Sequence, residues 1–109
     1  MSDKHAACLP DDETLAMSIE ILRLLADRTR LSILAMLAEG EMSVSAIAEA
    51  LGRPSPSVSQ HLAKLRAGRL VATRREGTTI YYSQPDVHIT ALVKNVLDHI
   101  DHLLDDDRG

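Results

Sequence analysis

The sequence predicts a mainly α chain with one small β-hairpin, arranged as a winged helix-turn-helix. Two observations carry that prediction. Two short helical segments joined by a Gly-containing turn lead to a polar-faced second helix. Two β-rich runs then follow at once around Glu76-Gly77, which is where a wing belongs.

Each element has its own justification. Residues 1–12 read as a flexible polar arm, 13–105 as one DNA-binding and dimerisation domain, and 106–109 as a tail. From Thr14, Leu15, Ile19, Leu22 and Leu25 recur at helical spacing to about Ala26. Asp27 breaks the chain and caps a second helix whose stripe is Leu31, Leu34 and Leu37, with Gly40 as its stop. Ser43 caps a short third helix that turns Ile47 and Leu51 inward and ends at Gly52. Pro54 and Pro56 suit the entry of the fourth helix, where a missing amide proton is harmless. Val58, Leu62 and Leu65 give it an i, i+4, i+7 stripe for packing on the third helix. The runs Leu70–Arg75 and Thr78–Ser83 form the hairpin, and a last helix opens near Pro85-Asp86 carrying Leu92, Val96, Ile100 and Leu103 or Leu104.

Composition bounds the function. The 109 residues make one domain, whose hydrophobic fraction of 45% contains neither Phe nor Trp. A small aliphatic core of this kind is often completed by dimerising. No apolar run approaches a membrane span and no signal segment opens the chain, so a soluble cytoplasmic protein is expected. The single cysteine, Cys8, cannot close an internal disulfide; it reads as a free thiol on the arm, or as sharing a redox or metal role with His5.

Charge is segregated. The net charge is −4, yet Arg53, Lys64, Arg66, Arg69, Arg74 and Arg75 lie in a stretch without one Asp or Glu. A solvated face ordinarily mixes both signs, whereas a local basic surface is what meets phosphates. The candidate DNA contacts are Ser57, Gln60 and Lys64 on the polar face of the fourth helix, with Arg74 and Arg75 near the wing tip. His61 on the same helix reads as a packing or phosphate-contacting residue rather than a metal ligand.

Three motifs in fixed order carry a family resemblance: Leu25-Ala-Asp-Arg-Thr-Arg-Leu-Ser-Ile-Leu, Ser57-Val-Ser-Gln-His-Leu-Ala-Lys-Leu and Gly77-Thr-Thr-Ile-Tyr-Tyr. Together they resemble the ArsR/SmtB family of bacterial metal-responsive repressors, over about residues 15–104. The resemblance implies a homodimer built by the first and last helices, binding to double-stranded operator DNA, and release on metal binding. It also exposes a departure. Where many members carry a Cys-x-Cys pair in the third helix, this chain has Ser43 and Ser45, whose neutral hydroxyls replace thiolates poorly. The arsenic, cadmium and lead readings go with them.

The last helix instead carries Asp86, His88, His99 and His102. His99 and His102 share a face, and His88 lies about 20° away around the helix. Along the axis, however, His88 and His99 are roughly 16 Å apart, far beyond what one ion with ligand bonds near ~2 Å can join. Two such helices running antiparallel across a dimer axis remove the conflict. Asp86 and His88 of one subunit then meet His99 and His102 of the partner subunit. This spacing matches the last-helix site of the family's zinc-sensing branch. One carboxylate and three imidazoles suit Zn2+. Ni2+ or Co2+ is the rival, with His5, Cys8 or Asp101 available to enlarge the shell, and a metal-independent winged-helix regulator is the third reading. An enzyme is not expected: no phosphate loop or nucleophile constellation appears, and a ligand set filled by protein leaves no open position for a small organic substrate.

Overall fold

The computed structural model describes residues 9–108, so expectations for His5 and Cys8 lie outside the described residues. The chain runs α1 (Asp12–Leu25), α2 (Arg28–Leu37), β1 (Met42–Ser43), α3 (Val44–Leu51), α4 (Ser55–Ala67), β2 (Ala72–Glu76), β3 (Thr79–Ser83) and α5 (Val87–Arg108). That is the expected order with one addition, the short strand β1.

Local chemistry sets the boundaries. Asp11, Asp27 and Ser43 each turn a side-chain oxygen onto the amide of the residue three further on, capping α1, α2 and α3. The first cap places the helix start at Asp12, slightly ahead of the expected Thr14. At the other end α5 continues to Arg108, so residues expected as a tail are helical. No Pro or Gly interrupts the chain between Asp86 and Gly109, and helix propagation needs only the absence of a breaker.

Helices α3 and α4 end in two versions of one motif. After α3, Gly52 takes the left-handed conformation at φ +64°, and the Arg53 amide donates to the Ala48 carbonyl at 3.1 Å. After α4 the left-handed position is held by Arg69 at φ +61°, while Gly68 precedes it with ordinary dihedrals. The Leu70 amide donates to the Leu65 carbonyl at 2.9 Å and the Arg69 amide to the Arg66 carbonyl at 2.9 Å, completing the turn. Gly68 has a steric reason instead. A Cβ there would lie 2.3 Å from Cδ1 of Leu24, a side chain of α1 that covers the end of α4.

The sheet order is β1-β3-β2, all antiparallel. Gly77, at φ +63°, opens the two-residue loop between Glu76 and Thr79, as a hairpin with glycine at its first loop position requires. β1 pairs Met42 with Tyr82 and Ser43 with Tyr81, anchoring the wing to the start of α3.

The core gathers Ile33 and Leu34 of α2, Ile47 of α3, and Val58, Leu62 and Leu65 of α4, all fully buried. The expected stripe of α4 is therefore its packing face. Leu51 is only partly buried against this core. Leu25 and Val93 close it from α1 and α5, while Leu15, Ile19 and Leu22 of α1 and Leu92, Val96 and Ile100 of α5 stand exposed. Leu22, Leu25, Ala26, Leu31, Leu92, Val93 and Val96 line one apolar depression of about 180 Å³.

Candidate nucleic-acid interface and metal-ligand helix

The reading face is built on α4. With Val58, Leu62 and Leu65 fixed inside, helical geometry turns Gln60 and Lys64 to solvent, and Ser57 is half-buried at the edge. No acid lies in the first turn of α4 to repel phosphate. Among the described residues the only arginines or lysines in ion pairs are Arg23 and Arg74, which leaves Arg53, Lys64, Arg66, Arg69 and Arg75 uncommitted.

His61 is half-buried and faces α2. Its Nδ1 lies 3.4 Å from Nη1 of Arg30 and 3.6 Å from Oδ2 of Asp27. Arg30 in turn donates from Nε to the Leu24 carbonyl at 2.7 Å. His61 thus stands at the junction of α2 and α4. The same Asp27 carboxylate accepts from the Arg30 amide at 2.9 Å, and that bond, with the nearby Arg30 charge, holds its carboxyl below the ordinary value.

The two wing arginines part company. Successive residues of a strand face opposite sides. Arg74, opposite Tyr81 in the ladder, lies over that ring at 4.7 Å and chelates Glu41, with Nε donating at 2.9 and 3.0 Å to the two carboxylate oxygens. Glu76 flanks it at 3.5 Å. The hydrogen bond from Arg74 holds the Glu41 carboxyl below its usual range, and the same pairing raises the guanidinium further. Arg74 is thus paired with Glu41, while Arg75 stays exposed and unpaired among the described residues. A contact between positions 41 and 74 leaves no trace in local pattern, which is why the sequence treated the two arginines alike.

On α5, Asp86, His88, His99 and His102 are all exposed. Asp86 caps the helix: its Oδ1 accepts from the His88 amide at 2.8 Å and the Ile89 amide at 3.4 Å. Its Oδ2 has no hydrogen bond among the described residues, which leaves one carboxylate oxygen for a further ligand. The structure keeps Asp86 and His88 at one end of a 22-residue helix and His99 and His102 toward the other. No cluster of three or more His, Cys, Asp or Glu side chains able to hold a metal forms within the single described chain. The donor set fits a borderline divalent ion, but one chain supplies only half of it in any one place.

A hydrogen bond joins the wing to this helix. Thr90 Oγ1 donates to Oε1 of Gln84, the residue after β3, and the Gln84 Nε2 is buried without a partner among the described residues.

The short helical pair with its reading helix, and the hairpin that follows, define a winged helix-turn-helix regulator that binds double-stranded DNA, not an enzyme. Residues 25–74 match the family model described as a helix-turn-helix domain. The chain is 51% identical to the HTH-type transcriptional regulator KmtR of Mycobacterium tuberculosis over 86% of its own length and 72% of that protein. It is 36% identical to the arsenical resistance operon repressor of Escherichia coli, over 75% of this chain and 70% of that one. The solution structure of the homodimeric winged helix-turn-helix domain of Mb0332 from Mycobacterium bovis superposes with a TM-score of 0.77 at 36% identity, over 95% of this chain and 91% of that one. HlyU from Vibrio cholerae gives a TM-score of 0.75 at 32% identity, over 79% of this chain and 94% of that one. The chain belongs to the ArsR/SmtB family of metal-sensing transcriptional repressors. No helix among the described residues is long and apolar enough to cross a membrane.

Proposed function

We propose that the protein is a homodimeric repressor that reads operator DNA through Ser57, Gln60, Lys64 and the wing Arg75, and releases it when a divalent ion is bound between subunits. His61 and Arg74 support that face from behind, through α2 and Glu41. Zn2+ is the favoured ion, with Ni2+ or Co2+ as the alternative. The observation that carries this reading lies on α5. Its two donor pairs, Asp86 with His88 and His99 with His102, stand toward opposite ends of one helix whose inner face packs Val93 on the core while Leu92, Val96 and Ile100 stay exposed on the outer face. An antiparallel second copy of α5 supplies the cover and brings each pair to its complement in the partner subunit.

Asp86 and His88 of one subunit with His99 and His102 of the partner subunit would hold such an ion, which would supply a cross-link between the two α5 helices. The chain's own residues carry the rest. Val93 and Ile89 pack α5 on the core, and Gln84 links its first turn to the wing. A change in how the two α5 helices meet therefore changes how the two α4 helices are spaced for half-sites about one DNA turn apart. The coupling equals the difference in ion affinity between free and DNA-bound protein, about 1–3 kcal/mol.

The test is operator affinity in chelator, then with zinc, cobalt and nickel in turn. Weakening by about 5- to 150-fold is expected with the physiological ion, and the largest effect identifies it. Equal affinity under all four conditions would sink the release mechanism and leave a metal-independent regulator.

A further inference from the structure

One basic cleft has no part in the reading above. It lies between the first turn of α2 and the end of α3, encloses about 570 Å³, and is lined by Arg28, Thr29, Ser32, Ala50, Leu51 and Arg53. Two arginines from distant parts of the sequence line it, and no acidic residue does. Both arginines are exposed, and neither makes an ion pair or a side-chain hydrogen bond among the described residues. Like charges sharing a polar cleft repel, and an anion between them reverses the sign of that interaction. The guanidinium fork matches the oxygens of a phosphate in a way an ammonium does not.

Position decides which phosphate. Arg53 directly precedes Pro54, the N-cap of α4. The first turn of α2 is held to α4 through the contacts of Asp27 and Arg30 with His61. The cleft therefore flanks the N-terminal end of the reading helix, the end that enters the major groove in this class of fold. We infer that Arg28 and Arg53 together seat a backbone phosphate of the bound DNA beside the bases that α4 reads. The pair fixes the depth and register of α4 and reads no sequence itself. Arg28 lies outside the acid-free stretch from Arg53 to Arg75, so only the fold brings it to this surface.

The proposal rests on the operator-binding reading, and the experiment separates the two. The probes are a duplex that the unaltered protein selects from a random pool and an unrelated duplex, each titrated across a salt series with the full chain. Arg28→Gln and Arg53→Gln should each weaken binding to both duplexes by a similar factor, about 3- to 10-fold at low salt, and lower the salt slope by about one. Arg28→Lys should keep the slope, because the charge remains. Unchanged thermal unfolding verifies the fold. Unaltered affinity and slope in both Gln variants overturn the clamp. So does a change in sequence preference in place of a uniform loss, which would make these residues readers. Lys64→Ala is the parallel measurement: if it has no effect while Arg28→Gln weakens binding, the clamp stands and the assignment of Lys64 falls.

Discussion

The two layers of this molecule bury their apolar residues in different ways. In α2, α3 and α4 the residues Ile33, Leu34, Ile47, Val58, Leu62 and Leu65 vanish from solvent within one chain. In α1 and α5 residues of the same kind stay wet, with Leu22 54% exposed and Val96 47% exposed. The sequence periodicity is equally helical in both, so periodicity says that a face is apolar without saying what covers it. A reading head complete in itself, carried on helices that are incomplete alone, is the arrangement expected where the number and spacing of heads is the regulated quantity.

The largest expected effect comes from charging the incomplete layer. Leu22→Glu with Val96→Glu adds two carboxylates to the shared depression. A monomer by sedimentation is expected, with operator affinity lowered by roughly 100-fold or more because one half-site is lost. Retained dimer in this variant would move the interface elsewhere. The single-chain fold should survive, since neither side chain belongs to the buried cluster.

A smaller effect tests the self-contained layer. Asp27→Ala removes the cap of α2 and the carboxylate beside His61, at a cost of about 0.5–2 kcal/mol in thermal or denaturant unfolding. Asn keeps an acceptor oxygen and removes the charge, so it isolates the ionic part. The folded pKa of Asp27 is lowered, so its ionic contribution is complete above the ordinary carboxylate value and fades as pH falls through the folded one. The stability difference between the parent and Asp27→Asn should therefore close as pH falls below about 4. A difference that widens in acid would contradict this assignment.

The smallest effect lies at the junction of the layers. Arg69 holds a left-handed backbone that glycine adopts without strain. Arg69→Gly should raise stability by about 0.5–1 kcal/mol, read as a higher midpoint in urea. If Arg69 also meets phosphate, the same variant shows a flatter salt dependence of DNA binding.

Much of this was legible in advance because it is written locally. The caps Asp27 and Ser43, the stripe of α4 and the glycine of the hairpin act within one or two turns of chain, and each stands where the spacing put it. What escaped was long-range or too short to repeat. β1 is two residues long and shows no alternation. Glu41 is unremarkable until the fold sets it against Arg74, and Arg28 until α2 lies beside α3. Val93 was overlooked because α5 has two apolar faces, and the one read from the sequence, through Leu92, Val96 and Ile100, is the uncovered one. The ligand helix was readable as donors with a spacing, and a single chain holds only that much of it.

Leu24 and Gly68 have a consequence beyond packing. The methyl group of one occupies the space in which the other would grow a side chain, so the two positions share a single volume across the border between the layers. Position 68 is the constrained one, since a side chain there needs the Leu24 methyl to give way. A lineage of this fold can enlarge position 68 once the end of Leu24 turns aside or is shortened, and a change on α1 is then recorded at the end of α4. The history of the two layers is in that respect one history.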